Sequence, residues 1–220
     1  MDEQVVPIDW SLPDLADALA HGLGRLCEED RLAQTVRGLD SRSELQWHAL
    51  IASILEEAGY GVQREQRYPL ARGRRRRSEG ERCDIVLTPT GRPLQEEEAL
   101  ATLFAAPDAI APVQALWLEV KVVNQFTEDG PNRSYAFDLQ HPVRGDVAKL
   151  AREESIAHAA VLLMLFTADE GTAVHDLEVW RQRCLARGLE ISPPYLRHVP
   201  IIDRLGNACC TIALLRVKGW

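Results

Sequence analysis

Residues 115–123 read Ala115-Leu-Trp-Leu-Glu-Val-Lys-Val-Val123, a β-type run with an acid and a base in its middle. Because successive strand side chains point to opposite faces, Glu119 and Lys121 share one face. Glu and Lys two residues apart are common on solvated faces, but the apolar flanks favour a strand that is buried on both faces. A charge buried there needs a paired charge or a metal ion to offset its desolvation. The run therefore predicts a central strand that carries a functional site.

A further carboxylate lies in an earlier predicted strand, Arg82-Cys-Asp-Ile-Val-Leu-Thr88. Alternation sends Asp84 to one side of this strand, and sends Cys83 and the apolar residues at 85 and 87 to the other. If the two strands pair, Asp84 meets Glu119 and Lys121 on one surface. Two carboxylates and an ammonium group in this arrangement suit a hard cation beside a phosphodiester.

Composition and charge are those of an ordinary globular protein. The 220 residues are 46% hydrophobic and 26% charged, enough for one domain, or one domain with an extension. No apolar run approaches the roughly 20 residues that span a bilayer, and the acidic N-terminus lacks a signal-peptide layout. We therefore expect a cytoplasmic protein with no membrane partner. The five cysteines form no metal-ligand spacing, so neither a zinc site nor a disulfide framework is predicted.

Hydrophobic periodicity and turn residues predict a mixed α/β order. Helices are expected over 11–38 (one or two), 42–58, 94–105, 144–155 and 173–187, and strands over 61–70, 82–88, 115–123, 159–167, 196–203 and 208–217. Glycine and proline between 124 and 143 predict a long loop. The last strand is apolar on both faces and lies near the chain end, where an uncovered edge invites pairing. We expect it to be buried beneath helix 173–187 or in a homodimer.

The order helix, three strands, helix, strand, with Asp84 on the second strand and Glu119-Val120-Lys121 on the third, resembles the PD-(D/E)xK nuclease superfamily. The similarity covers about residues 41–167. It implies a mixed central β-sheet flanked by helices, with a restriction-endonuclease-like αβββαβ core. A helical extension over 1–40 would precede this domain of 41–220, and a helix and a β-hairpin would end it. Two departures are Cys83 in place of the usual proline and the long insertion before Glu119.

The resemblance also implies the roles of individual residues. Asp84 and Glu119 would hold Mg²⁺, or Mn²⁺ as a substitute, together with Val120 between the motif's acid and base. Lys121 would orient or activate the attacking water. Lys149 is the basic residue expected to face the site from the next helix. The predicted function is a Mg²⁺-dependent endonuclease acting on DNA, in host defence, restriction or repair. A catalytically silent relative that binds nucleic acid or protein is the alternative.

Glu44 has two interpretations. In the superfamily a carboxylate on the first core helix often assists metal binding, and Glu44 is the candidate for that role. The segment Ser41-Arg-Ser-Glu44 also matches a capping box, in which Ser41 caps the helix and Glu44 bonds back to the cap. The sequence leaves both interpretations open.

An arginine-rich stretch, Arg72-Gly-Arg-Arg-Arg-Arg77, leads into the Asp84 strand. The net charge of −8 argues against non-specific coating of nucleic acid, but it does not exclude a local basic strip. This stretch is either a solvated loop or a contact surface for DNA phosphates. The candidate nucleic-acid-binding residues are Arg72, Arg74, Arg75, Arg76, Arg77 and Lys149.

Five other residues near the predicted site have modest expectations. His48 lies one turn beyond Glu44 and could face the site, but a surface or capping role is expected for it. Trp117 is expected in the core, with stacking on a base as the alternative. Tyr135 and Phe137 lie in the predicted loop, where they could stack on a base or close over the substrate. Asp146 is expected to be an acid in the first turn of its helix.

Overall fold

A six-stranded mixed sheet lies at the centre of the protein. The computed structural model describes residues 8–69, 82–89, 91–95 and 108–219. In chain order the elements are α1 (Leu12–Leu32), a short 3-10 helix (Leu39–Ser41), α2 (Glu44–Glu57), β1 (Gly61–Arg67), β2 (Arg82–Thr88), β3 (Leu116–Asn124), β4 (Phe126–Thr127), β5 (Gly130–Pro131), α3 (Tyr135–Arg152), β6 (His158–Thr167), α4 (Glu170–Leu185), β7 (Tyr195–Pro200) and β8 (Cys209–Lys218).

The strands lie in the order β1-β2-β3-β6-β8-β7. β1, β2 and β3 are successive antiparallel neighbours. β6 runs parallel to β3, and α3 makes the crossover that a parallel pair requires. β8 is antiparallel to both β6 and β7. The expectation of a mixed central sheet flanked by helices is confirmed.

The two faces of the sheet carry separate apolar cores. The helices α1 and α2 pack on one face, where the β3 residues Leu116, Leu118 and Val120 meet Trp47 of α2. The helices α3 and α4 pack on the other face against Trp117 and its neighbours. Residues 116–120 of β3 are buried on both faces, as their sequence predicts. The odd-numbered residues of β3 point towards α3 and α4.

The α2 helix begins two residues later than predicted, and its cap differs. Ser43 accepts a hydrogen bond from the Gln46 main-chain N–H, and the Gln46 side chain accepts from the Ser43 N–H, which completes a capping box. The proposed box of Ser41 and Glu44 is therefore wrong. Ser41 lies in the preceding 3-10 helix, and Glu44 is the first residue of α2. The Glu44 side chain takes no part in the cap and contacts Lys121 instead.

The prediction of a long loop over 124–143 is also wrong. This segment contains the β4–β5 hairpin and the first half of α3, and the helix continues through Pro142. Proline inside a helix costs about 3 kcal/mol, because it removes a hydrogen bond and crowds the preceding turn. Burial of Leu139, Val143 and Val147 against the sheet offsets that cost. Proline signals in the sequence do not reveal this packing.

The apolar last strand β8 is an interior strand, because β7 returns along its outer side. Residues 209–215 are buried within one chain. The reason for expecting a homodimer, an uncovered apolar edge, is thereby removed.

Two predicted segments fall largely outside the described residues. They are the helix over 94–105 and the arginine stretch with Arg72, Arg74, Arg75, Arg76 and Arg77. The described end of the first segment forms an isolated bridge between Leu94 and Ile110. In the described part of the chain, no helix combines the length and apolar character needed to cross a membrane.

Candidate functional site

The candidate site lies where β2 separates from β3. The last main-chain pair of the two strands joins Ile85 to Leu118. One residue further, the Asp84 carboxylate replaces the main chain and its Oδ2 accepts from the Val120 N–H at 2.8 Å. Cys83 packs in the core beside α3, opposite to Ile85, so the side-chain alternation predicted for this strand is wrong at Asp84. The break places the Asp84 carboxylate between the Val120 N–H of β3 and the His48 ring of α2.

Glu119 is a carboxylate buried at 2% exposure on the α3 side of the sheet. Its Oε1 accepts from the Tyr68 hydroxyl at 2.6 Å, and the Lys149 Nζ lies 2.6 Å from the same atom. Burial and the nearby Asp84 charge raise the pKa of Glu119 to about 7, against the opposing effects of Lys149 and Tyr68. The structure thus brings Lys149 to the site, as expected.

Lys121 links the two layers of helices through the gap beside β3. Its Nζ donates to Glu44 Oε1 at 2.9 Å and lies 3.6 Å from Asp146 Oδ2. Burial lowers the pKa of Lys121, but Glu44, Asp146 and Asp84 outweigh it and leave the pKa raised. Lys121 is therefore a charged donor held between α2 and α3.

His48 lies inside this site, so its expected surface or capping role is wrong. It is 4% exposed, and neither ring nitrogen has a hydrogen-bond partner among the described residues. Its Nε2 is 3.7 Å from Glu44 Oε1, and its Nδ1 is 4.0 Å from both Glu65 Oε1 and Asp84 Oδ1. Among the described residues, His48, Glu65 and Asp84 offer ligand atoms within 4.8 Å of one another.

Sequence reasoning missed Glu65, an exposed residue of β1. Its φ of 54° lies in the left-handed region that non-glycine residues rarely adopt. The register of β1 and β2 pairs Arg64 with Ile85 and Gln66 with Cys83 and passes over Glu65, and Arg82 donates to the Glu65 carbonyl oxygen at 2.9 Å. No sequence signal marks this position, because a glutamate in an alternating polar strand resembles a solvated residue.

The charges at the site do not balance among the described residues. Two ammonium groups, Lys121 and Lys149, face carboxylates that outnumber them; these are Glu44, Glu65, Asp84, Glu119 and Asp146. Asp146 lies in the middle of α3, so its expected first-turn position is wrong, and burial raises its pKa despite both lysines. The formal excess of negative charge favours a cation.

The aromatic candidates have mainly packing roles. Trp117 is buried in the core as predicted, and its Nε1 donates to the Pro112 carbonyl at 2.8 Å. Tyr135 donates to Asp176 of α4 at 2.9 Å, and the exposed Phe137 stacks on His141. Tyr68, which the sequence did not single out, stacks on Trp117 and positions its hydroxyl on Glu119.

No family model, curated protein or solved structure matches this chain. The site's own geometry therefore supplies the basis for a functional proposal.

Proposed function

We propose that this protein is a metal-dependent nuclease that hydrolyses phosphodiester bonds of DNA. The observation that carries the proposal is the approach of Asp84, Glu119 and Lys121 at one break between two central strands. The Asp84 charge raises the pKa of both other groups, so the three interact electrostatically. Structural ion-pair networks shift pKa values too, but Glu119 and Lys121 also occupy the positions that the resemblance assigns to a metal-binding acid and to the lysine beside it.

The topology supports the same proposal. α2, three antiparallel strands, α3 and a fourth strand parallel to the third follow one another in the order that the PD-(D/E)xK resemblance implies. Asp84 lies on the second of these strands, and Glu119 and Lys121 lie on the third. Because one fold can host many unrelated functions, the proposed function depends on the residues of the site and not on the fold alone.

The donor chemistry fits Mg²⁺, which prefers oxygen ligands and is usually held by one or two carboxylates. Repulsion from Asp84 is among the causes that raise the pKa of Glu119, and a cation between the two groups relieves that repulsion. When bound, Mg²⁺ polarises a phosphoryl oxygen and lowers the pKa of a coordinated water. Asp84 and Glu119 would hold the ion, beside the main chain of Val120.

The lysines supply the positive charge that a phosphodiester needs. Lys121 cannot coordinate a cation, so its role is to orient the attacking water or to stabilise charge on the phosphate. Glu44 and Asp146 hold its ammonium group in place. Glu44 therefore acts on the site through Lys121. Lys149 contacts Glu119 and gains the phosphate oxygens as partners when substrate binds.

DNA is the proposed substrate because described residues on both sides of the arginine stretch in the sequence lie at the site. Tyr68, the residue after β1, donates to Glu119, and Arg82, the first residue of β2, donates to the Glu65 carbonyl. Arginines that contact backbone phosphates supply affinity without reading sequence. The duplex would thus be held next to the carboxylates that cut it.

A second candidate is a silent module of the same fold. The specific observation in its favour is that Glu119 is already paired with Lys149 and Tyr68, so this carboxylate is satisfied by protein groups alone. Such a protein binds DNA without cutting it.

Cleavage of supercoiled plasmid in Mg²⁺, with EDTA as the comparison, separates the two candidates. We expect nicking or linearisation in Mg²⁺ only, and a loss of about a hundredfold or more in Asp84→Asn, Glu119→Gln and Lys121→Met. Glu178→Gln, which changes an exposed carboxylate paired with Arg181 on α4, is the matched control and should cut normally. Binding without cleavage in any divalent metal would support the silent module instead.

A further inference from the structure

We infer that His48, Glu65 and Asp84 form a distinct metal site with one nitrogen and two oxygen ligands, selective for a divalent transition metal such as Mn²⁺ over Mg²⁺. It shares Asp84 with the proposed nuclease centre and excludes Glu119. The inference concerns metal binding by the free protein and does not depend on cleavage.

The first support is the unsatisfied imidazole of His48. Both of its nitrogens are buried and lack a hydrogen-bond partner among the described residues. A buried polar group without a partner costs about 1–3 kcal/mol, so such groups normally serve a ligand or a catalytic role. The ring is flanked by carboxylates at distances beyond hydrogen bonding, Glu44 on its Nε2 side and Glu65 and Asp84 on its Nδ1 side.

The three ligand atoms lie near enough to converge on one cation. Nitrogen and carboxylate ligands lie about 2.0–2.2 Å from a transition metal, so two ligands of one ion are about 3 Å apart when they are adjacent and at most about 4.4 Å apart when they are opposite. The Nδ1 atom of His48 is 4.0 Å from both Glu65 Oε1 and Asp84 Oδ1. All three ligand atoms lie within 4.8 Å of one another. Inward movements of about 1 Å by the Glu65 and Asp84 side chains bring the atoms to the spacing of adjacent ligands.

The two oxygens of Asp84 have separate partners. Oδ2 accepts from the Val120 N–H and fixes the carboxylate on β3, while Oδ1 faces His48. The site on the α2 side therefore requires no rearrangement of the strand contact. Glu119 lies on the other side, where Tyr68 and Lys149 hold its carboxylate.

Glu44 fits the role of a supporting group for the imidazole. Metal-bound histidines usually direct their other ring nitrogen towards a carboxylate or carbonyl, which fixes the tautomer. The Nε2 of His48 is 3.7 Å from Glu44 Oε1, which leaves Nδ1 to face Glu65 and Asp84. Glu44 is itself fixed by Lys121.

The ligand types set the metal preference. Mg²⁺ takes oxygen ligands and keeps several waters, whereas imidazole suits later first-row metals. One imidazole and two carboxylates with remaining water positions therefore favour a divalent transition metal over Mg²⁺. Mn²⁺ binds most weakly in that series, so it is the most stringent transition-metal probe of the preference. The absence of a thiolate ligand in the set separates it from structural zinc sites.

Pulsed EPR of Mn²⁺ added to the whole purified protein tests the inference, since a directly bound imidazole produces nitrogen hyperfine coupling. We expect this coupling in the wild type, in Glu119→Gln and in the control Glu178→Gln, and its loss in His48→Gln. Calorimetric titration with Mn²⁺ should show a Kd at least about tenfold weaker in Glu65→Gln, whose exposed side chain can change without disturbing the core. Mg²⁺ should bind the wild type more weakly than Mn²⁺.

The inference is overturned if bound Mn²⁺ shows no nitrogen coupling, if Mn²⁺ does not bind below about 1 mM, or if Glu65→Gln binds as tightly as the wild type. Loss of Mn²⁺ binding in Glu119→Gln alone would place the ion at the Asp84–Glu119 pair, which overturns this site and leaves the nuclease proposal standing. Nitrogen coupling without plasmid cleavage would support this metal site and contradict the nuclease proposal.

Discussion

The Val120 main-chain N–H donates to the Asp84 carboxylate at 2.8 Å, just beyond the last main-chain pair of β2 and β3. The Asp84 side chain thereby accepts the hydrogen bond that a main-chain carbonyl of β2 would otherwise accept. Val120 is fully buried, so this N–H has no solvent to replace a lost partner. Asp84 is therefore a structural acceptor as well as a candidate metal ligand.

Replacing Asp84 by Ala should destabilise the protein by about 1–3 kcal/mol, because it leaves a buried N–H unpaired. Asp84→Asn retains an acceptor oxygen and should lose less stability, while cleavage should be lost in both. Urea unfolding of the two variants measures the difference. Equal stability of the two variants would show that the contact with Val120 contributes nothing. If Asp84→Ala is the less stable, as we expect, Asp84→Asn is the variant that tests the metal role without also disturbing the fold.

Ser43 and Glu44 are adjacent residues for which we predict opposite effects. Ser43→Ala removes the N-cap of α2 and should cost about 1 kcal/mol of stability without affecting plasmid cleavage. Glu44→Gln leaves the cap intact but weakens the hold on Lys121, so cleavage should fall while the free energy of unfolding changes by less than about 0.5 kcal/mol. Each variant is the control for the other. Unchanged cleavage in Glu44→Gln would remove this residue from the site.

The central strands could be predicted from the sequence because their apolar runs are strong and their charges are few. β2 has its predicted bounds, and β3 differs from its prediction by one residue at each end. The broad order of helices and strands follows from the same periodicity. The early part of α3 could not be predicted from the sequence. Pro142 is a local signal against a helix, whereas the free energy gained by burying Leu139 and Val143 depends on tertiary packing against the sheet.

The candidate site was predictable only where charges lie in apolar strands. Asp84, Glu119 and Lys121 stand out for that reason, and Lys149 followed from the resemblance. His48 and Glu65 were not predictable as partners, because their approach depends on how α2 crosses β1 and β2. Leu45 is exposed on α2, and His48 takes a buried position on that helix.

Glu119 should make stability depend on pH. Burial and Asp84 raise its pKa from 4.5 to about 7, so the native state holds this proton over a range in which the unfolded chain has released it. The contribution of this group to stability is therefore greatest below about pH 4.5 and falls as the pH rises to about 7, by about 3 kcal/mol in total.

The matched variant for this effect is Glu119→Gln, which lacks the titration. Between about pH 5 and pH 8 the wild type should lose about 2–3 kcal/mol of unfolding free energy relative to the variant. Lys149 stays charged throughout this range, because its pKa is raised, so its lost partner adds only a constant offset. Parallel pH profiles of the two proteins in urea unfolding would contradict a raised pKa at Glu119.

The arginine stretch should determine how tightly the protein holds duplex DNA. Each phosphate contact contributes about 0.9 to the slope of log affinity against log salt concentration. Changing Arg74, Arg75, Arg76 and Arg77 to Ser should therefore reduce that slope by about 2 to 4. The matched control is Arg183→Ser with Arg187→Ser, which removes exposed positive charge around the end of α4. Fluorescence anisotropy of labelled duplex across a salt series measures both slopes. Equal slopes in the two variants would show that the stretch is only solvated charge, and Arg144, Lys149 and Arg152 of α3 would then be the next residues to change.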